Sequence, residues 1–545
     1  MIMRIFSTLF ILVIVSFQLL SQPKVRKMPN NINHPSINQS SPFISLDGNN
    51  MIFIADNGED NALSMNYTYK VDAVNWKDPV LMPRHIQSRL NFLRGFALDA
   101  EGKTLFITNQ KGGGIGGYDI SISEKKGSFW TDPVNPGSPL NSKSHDACPS
   151  LTSDGKTMYF MRCEKMDSKV ADVCKIFVSK MNLGGQWEEP IELPSSINTG
   201  NSQVPRIMGD DETLIFSSDK FTSNKGGMDL YMTRNENGVW SKPVALNFVN
   251  TDGDDQYVSA TSLGRYLLKD VKADRSTELV EILFPQELKP KGLMKIEGQM
   301  KSSVGAYIGV FDLKARKQLS SIRPSENGSF VIYLKEGSEY DLSIEPESDK
   351  LTYFSRLYDL TGDRFPTYDK LEAELHELKA GDEIELAAVR FNPYTSTLNT
   401  TSENEIRRAS RLIRANTNFR FTLDITLFGL LKDSIQSSPD LTEVVFDTLK
   451  FKVNYTKDSL VEIPPDSMTL TIRYDTLRTV LTRDSIVINT TYHNDRTSEQ
   501  LQTVLNALIA EGIHSDRVQW THRALPIEGI ENKKTLVKLT AKRPQ

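Results

Sequence analysis

The stretch Thr152–Phe160 reads TSDGKTMYF, a polar turn around Asp-Gly that leads directly into an apolar, aromatic segment. Asp-Gly favours tight hairpin turns, and a short aromatic or β-branched run bounded by turn residues is typical of a strand. Related units recur at steps of 54, 53, 56 and 53 residues, counted between the turn positions Gly48, Gly102, Gly155, Asp211 and Gly264. The strands predicted after these turns are Met51–Ile54, Thr104–Ile107, Met158–Phe160, Leu214–Phe216 and Tyr266–Leu268.

The second half of each unit ends on a tryptophan that is followed three residues later by a proline. Four of the five tryptophans recur in this phase, namely Trp76, Trp130, Trp187 and Trp240. A fixed period of turns and short strands, without helical periodicity, is typical of β-propeller blades, whose sheets bury their faces against one another. We therefore predict a propeller over residues 30–288 with five blades. The number becomes six if the segment 271–284 or the N-terminal strand completes another blade.

These repeats resemble the PD40-type (WD40-like) propeller repeats of Gram-negative cell-envelope proteins, and the resemblance implies a propeller that binds protein partners. The chain is long enough for several domains, with 545 residues, 39% hydrophobic composition and a formal net charge of −5. No basic block stands out in the sequence, so we expect no nucleic-acid partner.

Residues 1–22 have the pattern of a secretory signal peptide, in which Arg4 precedes the apolar segment Ile5–Leu20 and Ser21-Gln22 offers a cleavage point. The alternative is a membrane anchor, because this apolar segment approaches the ~17 residues that a short spanning helix needs. No cysteine precedes Cys148, so the lipid-modified cysteine of a lipoprotein is missing. We predict cleavage and a periplasmic mature chain without a transmembrane span, associated with the outer membrane or cell wall.

All three cysteines lie in the third repeat. Cys163 and Cys174 flank the predicted hairpin Arg162–Lys175, where they can face each other across two strands, and export to an oxidising compartment favours a disulfide. The alternative is a pair of buried thiols. Cys148 is left over, and we predict that it is a small core residue.

A second all-β region is predicted over residues 292–360, after a polar linker with two prolines. Its strand-like runs include Ala306–Asp312 and Ser329–Leu334, and Asn327-Gly328 is a hairpin turn between strands. This pattern resembles the carboxypeptidase-regulatory-like domain. The resemblance implies a small β-sandwich that acts as a spacer or assembly module.

From residue 381 to 545 the pattern becomes mixed α/β. We predict a strand at Ile384–Phe391, a helix at Ser402–Arg414, a strand at Phe419–Leu427 and a second helix at Thr497–Ala510. In the first helix Ile406, Ala409 and Ile413 share one face, while Arg407, Arg408 and Arg411 lie on the other. Strand-like segments at Val518–Trp520 and Thr535–Leu539 end the chain.

This order resembles the OmpA-like C-terminal domain, whose members bind the diaminopimelate stem of peptidoglycan with an Asp and an Arg. The family's Arg position aligns with Gln500 here. Asp495 and Arg496, one helical turn earlier, are the candidate replacements, and Asn494 and Asn532 are further candidate binding residues. An Arg with a carboxylate suits a zwitterionic amino-acid head. The alternative is that Asp495 and Arg496 are solvated residues at a helix start.

An insertion at residues 430–489 departs from the OmpA-like pattern. Alternating runs such as Met468–Tyr474 predict half-buried strands, so we expect a β-hairpin extension that can dock a partner by strand addition. Asp-Ser and Asp-Thr pairs recur within it at spacings too wide for one calcium loop, and we predict that these aspartates form turns.

No catalytic motif is recognisable in the sequence, because the seven histidines are scattered and no nucleophile elbow or metal-ligand spacing occurs. We therefore predict no enzyme, no cofactor and no metal. The domain order resembles that of PorE-like components of the type IX secretion system. This resemblance implies a scaffold that binds envelope or secretion-complex proteins and is tethered to peptidoglycan. The alternative is a periplasmic propeller that binds or hydrolyses a glycan or peptide.

Overall fold

A computed structural model describes residues 25–543, apart from 57–62, 73, 88–94, 111–113, 168–169, 262–263, 275, 302–304, 363, 430–435, 438–440, 465–472 and 526–533. The predicted signal peptide at residues 1–22 lies outside the described residues. Backbone contacts divide the chain into two units. The first unit contains residues up to Glu297 together with Val331–Gly337 and Leu360–Leu371, and the second contains Gly298–Phe330, Ser338–Asp359 and Glu372–Gln545.

The repeat region is built from short antiparallel strands. They are β1 (Val25–Lys27), β2 (Asn38–Ile44), β3 (Asn50–Asp56), β4 (Leu63–Tyr69), β5 (Val80–Leu81), β6 (Phe96–Leu98), β7 (Thr104–Asn109), β8 (Asp119–Lys126), β9 (Phe129–Trp130), β10 (His145–Leu151), β11 (Thr157–Met166), β12 (Ala171–Lys180), β13 (Ile191–Glu192), β14 (Ser202–Ile207), β15 (Thr213–Ser218), β16 (Asp229–Glu236), β17 (Val239–Trp240), β18 (Val244–Ala245), β19 (Ser259–Thr261), β20 (Tyr266–Lys272) and β21 (Thr277–Leu283). A single helical turn, α1 (Arg84–Gln87), lies between β5 and β6.

Five successive sheets form from these strands. Their orders are β2-β3-β4-β5, β6-β7-β8-β9, β10-β11-β12-β13, β14-β15-β16-β17 with β18 also on β16, and β1-β21-β20-β19. The N-terminal strand β1 pairs with β21, so it completes the last sheet of the series. Apolar clusters join neighbouring sheets, and one cluster packs Met51 and Phe53 of the first sheet against Leu268 and Leu279 of the last. The arrangement is propeller-like.

The repeated turn is visible in the backbone. All five turn positions have a positive φ, which is +72° at Gly48, +71° at Gly102, +68° at Gly155, +57° at Asp211 and +91° at Gly264. Glycine adopts this conformation without the Cβ clash that other residues meet. The predicted strands lie within β3, β7, β11, β15 and β20, which confirms that the sequence period marks the second strand of each sheet.

Seven strands follow in two sheets. They are β22 (Leu293–Met300), β23 (Ala306–Asp312), β24 (Lys317–Ile322), β25 (Ser329–Lys335), β26 (Glu339–Pro346), β27 (Phe354–Asp359) and β28 (Tyr368–Ala373). Their orders are β25-β22-β28 and β24-β23-β26-β27. The strand β28 lies beyond residue 360, where the sequence prediction ended this region.

The C-terminal part is a helix-covered sheet. It contains β29 (Glu383–Glu385), a 3-10 turn at Thr400–Ser402, α2 (Glu403–Ala415), β30 (Arg420–Phe428), β31 (Glu443–Ile463), β32 (Arg473–His493), α3 (Thr497–Ala510), a 3-10 turn at Ser515–Arg517, β33 (Val518–Leu525) and β34 (Lys534–Lys542). The sheet order is β29-β34-β30-β33, with β30 and β33 parallel. Buried apolar residues of α2 and α3 pack on this sheet, among them Ile406, Leu412 and Val504. The predicted helices are therefore confirmed.

Two details of the sequence prediction are wrong. The strand expected at Ile384–Phe391 is limited to β29, because the chain turns at Leu386–Val389, where the Val389 amide bonds the Leu386 carbonyl. The predicted hairpin extension is present as β31 and β32, but Asp447, Asp458, Asp475 and Asp484 lie within these strands and do not form turns. Asp433 and Asp466, which belong to the same series of Asp-Ser and Asp-Thr pairs, lie outside the described residues.

Candidate functional site

One arginine lies at the centre of the five sheets. The Arg206 guanidinium donates to backbone carbonyls from Val258 (3.1 Å), Pro149 (3.1 Å), Pro205 (3.3 Å) and Phe96 (3.3 Å), and lies 5.0 Å from the Phe43 ring centroid. Four of these partners belong to strands of four different sheets, and the fifth, Val258, directly precedes β19 of the remaining sheet. A single side chain therefore makes contacts in or next to a strand of every sheet. Burial lowers the pKa of Arg206 to about 10, because the charged guanidinium is removed from water.

The space beside Arg206 is small. A cavity of about 50 Å³ is lined by residues such as Phe43, Ser150, Ser259 and Asp99. A water molecule needs about 10–15 Å³ of this kind of volume, so the space is of the size of a few water molecules. Among the described residues that line this cavity, Asp99 is the acidic one and Arg206 the basic one.

The second unit contains a much larger cavity, of about 1060 Å³. It lies beside two edge strands, β27 and β29, and is also lined by the first residues of β34, by the loop that follows β29 and by the start of α3. This volume is at the upper end of the range of pockets that bind small molecules, about 300–1,000 Å³. The cavity is therefore large enough to hold a small-molecule ligand.

Charges of both signs line this cavity. The basic side chains are Arg356, Arg390, Arg496 and Lys534, and the acidic ones are Glu374, Asp382, Glu383 and Glu385. Some are paired with one another or with neighbours: the Lys534 ammonium lies 3.9 Å from the Glu385 carboxylate, and Arg390 bonds Glu339 at 2.8 Å. Such a balanced lining suits a ligand that carries both an ammonium and a carboxylate.

The start of α3 brings three of the cavity residues together. The Gln500 amide donates to the Arg496 carbonyl at 2.9 Å, so one helical turn separates the two side chains and places them on one side of the helix. Both line the cavity, as does Asn494, which is 4% exposed and directly follows β32. Arg496 and Gln500 therefore reach the same cavity.

The remaining candidates from the sequence do not join them. The Asp495 carboxylate accepts hydrogen bonds from the Thr497 amide (2.8 Å) and the Thr497 hydroxyl (2.7 Å), which is a local cap at the start of α3. Asp495 is not among the residues lining the cavity. Asn532 lies outside the described residues. The carboxylates on the cavity wall come instead from the segment 374–385, which sequence reasoning did not single out.

A buried ionic cluster beside α2 was also missed. The Arg408 guanidinium contacts Asp341 (2.6 Å) and Glu405 (2.8 Å), Glu345 is 3.6 Å away, and the Tyr353 hydroxyl donates to Glu405 at 2.7 Å. Arg408 was predicted on the solvated face of the helix, but its side chain is only 6% exposed.

The charges in this cluster move its pKa values in different directions. Burial raises the pKa of Asp341 despite the neighbouring Arg408. For Glu345 burial alone would raise the pKa, but the charges of Arg408 and Arg411 outweigh it and lower the pKa. The pKa of Arg408 is raised, because Glu405 and Asp341 outweigh the cost of burial.

The cysteines lie together in the third sheet. Cys163 on β11 faces Cys174 on β12, and the two form a disulfide. Cys148 is a buried free thiol whose pKa burial raises to about 12. Within the described residues no group of three or more His, Cys, Asp or Glu side chains is arranged to hold a metal ion. None of the helices described there is long and apolar enough to cross a membrane.

Comparison with known proteins identifies no family for this chain. It matches no family model and no curated protein sequence. Similar solved structures include an endo-arabinase from Bacteroides thetaiotaomicron, with 19% identity over 48% of this chain and 99% of that chain at a TM-score of 0.34. A putative TolB from Agrobacterium tumefaciens has 14% identity over 54% and 90% at a TM-score of 0.27. A thermostable family-43 glycoside hydrolase has 10% identity over 47% and 93% at a TM-score of 0.31.

These comparisons correct one prediction. The sequence analysis predicted no enzyme and kept a hydrolytic propeller as the alternative, but several of the similar structures are glycoside hydrolases or putative glycoside hydrolases, so the prediction of no enzyme is wrong. The physical reason is that a propeller assembles its sites from separate repeats, so the lack of a contiguous motif does not argue against catalysis. Likeness at these identities and TM-scores transfers no activity to this chain.

Proposed function

We propose that this chain is a cell-envelope protein whose second unit binds the peptide stem of peptidoglycan in the cavity of about 1060 Å³. The observation that carries the proposal is that Asn494, Arg496 and Gln500 line one cavity together with four carboxylates and three further basic side chains. A diaminopimelate head carries an ammonium and a carboxylate on one carbon. It needs a cation and an anion close to each other, and this cavity has both, since Lys534 lies 3.9 Å from Glu385 and Arg496 lines the same cavity.

Each group has a role in this proposal. Arg496 binds the ligand carboxylate, because a guanidinium offers two parallel donors to the two carboxylate oxygens. The Gln500 amide, one turn along α3, supplies a further neutral hydrogen-bonding group. Glu385 and its neighbours in the segment 374–385 bind the ammonium. Asp495 acts indirectly, by fixing the helix start that carries Arg496.

Two structural proposals support this function. The order β29, α2, β30, α3, β33, β34 is the order that led to the OmpA-like resemblance, and we propose that this part has the OmpA-like fold with a hairpin insertion between β30 and α3. We propose that the five sheets of the first unit are five blades of a closed propeller, because Arg206 makes contacts in or next to a strand of each. We also propose a periplasmic location and a role in a PorE-like envelope complex, as the resemblances imply.

Co-sedimentation with insoluble, diaminopimelate-type peptidoglycan tests the binding. The purified chain without residues 1–22 is expected to pellet with the wall material. The Arg496→Ala variant is expected to lose about tenfold or more in affinity, since a hydrogen bond to a charged group contributes about 1.5–3 kcal/mol. The matched control is Arg407→Ala, which removes an exposed arginine of α2 outside the cavity.

Two results would overturn the proposal. One is a parent chain that stays in the supernatant, and the other is an Arg496→Ala variant that pellets as well as the parent. The same supernatants are assayed for released sugars and peptides, because soluble fragments that accumulate with time would show that the chain also cleaves the wall.

A further inference from the structure

The hairpin of β31 and β32 has little of the burial that normally supports strands. Each strand is 21 residues long, and the two pair without a break from Glu443 opposite His493 to Ile463 opposite Arg473. An isolated two-stranded hairpin is only marginally stable in water, because it has no sheet or helix to cover its apolar side chains. Nearly all residues of β31 are exposed. The described residues therefore do not bury the apolar side chains of this hairpin, and a binding partner would stabilise it.

The two faces of the hairpin differ. The register places odd-numbered residues of both strands on one face and even-numbered residues on the other. Large exposed apolar residues are more numerous on the odd-numbered face, where they are Val445, Leu449, Phe451, Tyr455, Val461, Ile463, Leu477, Leu481 and Val487. On the even-numbered face they are Phe446, Leu460, Tyr474, Val480, Ile486 and Ile488.

Two hydrogen-bonded side-chain pairs join the strands on the even-numbered face, whereas the odd-numbered positions hold six charged residues among the apolar ones. On the even-numbered face Arg478 holds Asp458 through two hydrogen bonds (2.9 and 3.1 Å), and the Thr482 hydroxyl donates to Asn454 at 2.9 Å. Opposite charges that face each other across two strands stabilise the pair in water. On the odd-numbered face the directly opposed pairs include Leu449 with Val487 and Tyr455 with Leu481. Burying such apolar pairs against a partner is favourable because it removes apolar surface from water.

We propose that the odd-numbered face of the hairpin binds the same face of a second copy of this chain. The area supports this occupant. A strand of 21 residues is about 70 Å long. A two-stranded ribbon about 10 Å wide therefore offers about 700 Å² on one face, and two such faces together bury about 1,400 Å², within the range of stable protein interfaces.

The charge of the hairpin also favours a second copy over other partners. By sequence, the two strands carry six lysines and arginines and six aspartates and glutamates. A nucleic acid or an anionic membrane is bound by clustered positive charge, which this balance does not provide. By sequence, the odd-numbered positions carry three lysines and arginines and three aspartates and glutamates, so an isologous contact between two such faces brings no net like charge together.

Sedimentation equilibrium of the chain without residues 1–22 tests the inference. The expected result is a dimer at micromolar concentration. The double variant Leu449→Glu/Leu481→Glu places two acids on the odd-numbered face and is expected to be monomeric. The matched control Leu460→Glu/Val480→Glu makes the same kind of change on the even-numbered face of the same strands and is expected to remain dimeric. Circular dichroism verifies that each variant is folded.

Three outcomes would overturn the inference. The first is a monomeric parent chain, and the second is a dimer that survives the Leu449→Glu/Leu481→Glu change. The third is a parent chain that floats as a monomer with phosphatidylglycerol vesicles, which would identify a lipid surface as the cover. Wall binding through Arg496 is measured separately, so failure of the dimer leaves the proposed function to its own test.

Discussion

Two buried arginines, Arg206 in the first unit and Arg408 in the second, are held in opposite ways. Arg206 is surrounded by neutral backbone carbonyls, and burial lowers its pKa to about 10. Arg408 is surrounded by the carboxylates of Asp341, Glu405 and Glu345, which raise its pKa despite burial.

The two units therefore differ in the groups that hold the buried guanidinium and in the size of their cavities. In the first unit, backbone carbonyls in or next to four of the five sheets hold the Arg206 guanidinium, and no acidic side chain is among these partners. This arrangement leaves a cavity of only about 50 Å³ beside it. The irregular second unit needs specific acids to hold Arg408, and it keeps a cavity of about 1060 Å³ elsewhere. Ligand binding is therefore expected in the second unit.

The largest expected effect is at Arg408. The Arg408→Ala change leaves the buried carboxylates of Asp341 and Glu405 without their cation, and loss of one partner of a buried ion pair costs about 3–5 kcal/mol. Urea unfolding followed by circular dichroism should show this loss in the transition of the second unit. Arg407→Ala, one residue away and exposed, is expected to change stability by less than about 0.5 kcal/mol. Equal effects of the two changes would contradict the buried cluster.

A somewhat smaller effect is expected at Arg206. The Arg206→Ala change removes the donors from carbonyls of neighbouring sheets, and buried acceptors left unsatisfied cost about 1–3 kcal/mol each before relaxation. We expect the free energy of unfolding to fall by about 3 kcal/mol, because water can enter the space left by the side chain and donate hydrogen bonds to some of these carbonyls. The exposed Arg84→Ala change is the control and should be neutral. A stable Arg206→Ala variant would show that the side chain does not hold the sheets together.

A Gly→Ala change at a repeat turn should lower the free energy of unfolding by about 1–2 kcal/mol. This is the cost of a left-handed backbone conformation for a residue with a Cβ. Gly155→Ala tests this backbone term alone, because Gly155 has a φ of +68° and no atom within 4 Å of the added Cβ. Gly253→Ala is the control, since its φ is not in the left-handed region and the nearest atom is 3.7 Å away. If both changes had the same effect on the urea midpoint, the turn argument would fail.

The smallest expected effect is in the chemical labelling of the buried Cys148 thiol. Burial raises the pKa of its thiol to about 12, so at pH 8 it is protonated and enclosed and should not react with iodoacetamide. Mass spectrometry is expected to show labelling in urea and none in the native chain. Faster native labelling in Arg206→Ala would report opening of the centre, whereas rapid labelling of the native parent would contradict its closed packing.

Much of the first unit could be predicted from its period. The turn glycines and the second strand of each sheet repeat in the sequence, because each repeat must meet the same steric requirement. Asp211 takes the glycine position, and it accepts hydrogen bonds from the Ser153 amide and hydroxyl, both at 2.6 Å. Aspartate tolerates this conformation better than most residues. The period also locates Arg206 five residues before a turn, but its role depends on sheets that are distant in sequence.

The second unit was predicted less completely. Amphipathic periodicity assumes one buried helix face, and this assumption placed Arg408 in solvent, whereas α2 is buried on a second side as well. The resemblance pointed to Asn494 and Arg496. It could not find Arg390 or Lys534, because these lie far away in sequence and meet Arg496 only around the folded cavity.

The central claim is that the cavity of the second unit binds the zwitterionic head of a wall peptide through Arg496. Isothermal titration of the chain without residues 1–22 with a soluble diaminopimelate-containing stem peptide tests it most directly, beside Arg496→Ala and the control Arg407→Ala. The account predicts saturable binding by the parent and by Arg407→Ala, and affinity lower by about tenfold or more for Arg496→Ala. Binding that is absent in the parent, or unchanged in Arg496→Ala, would contradict it.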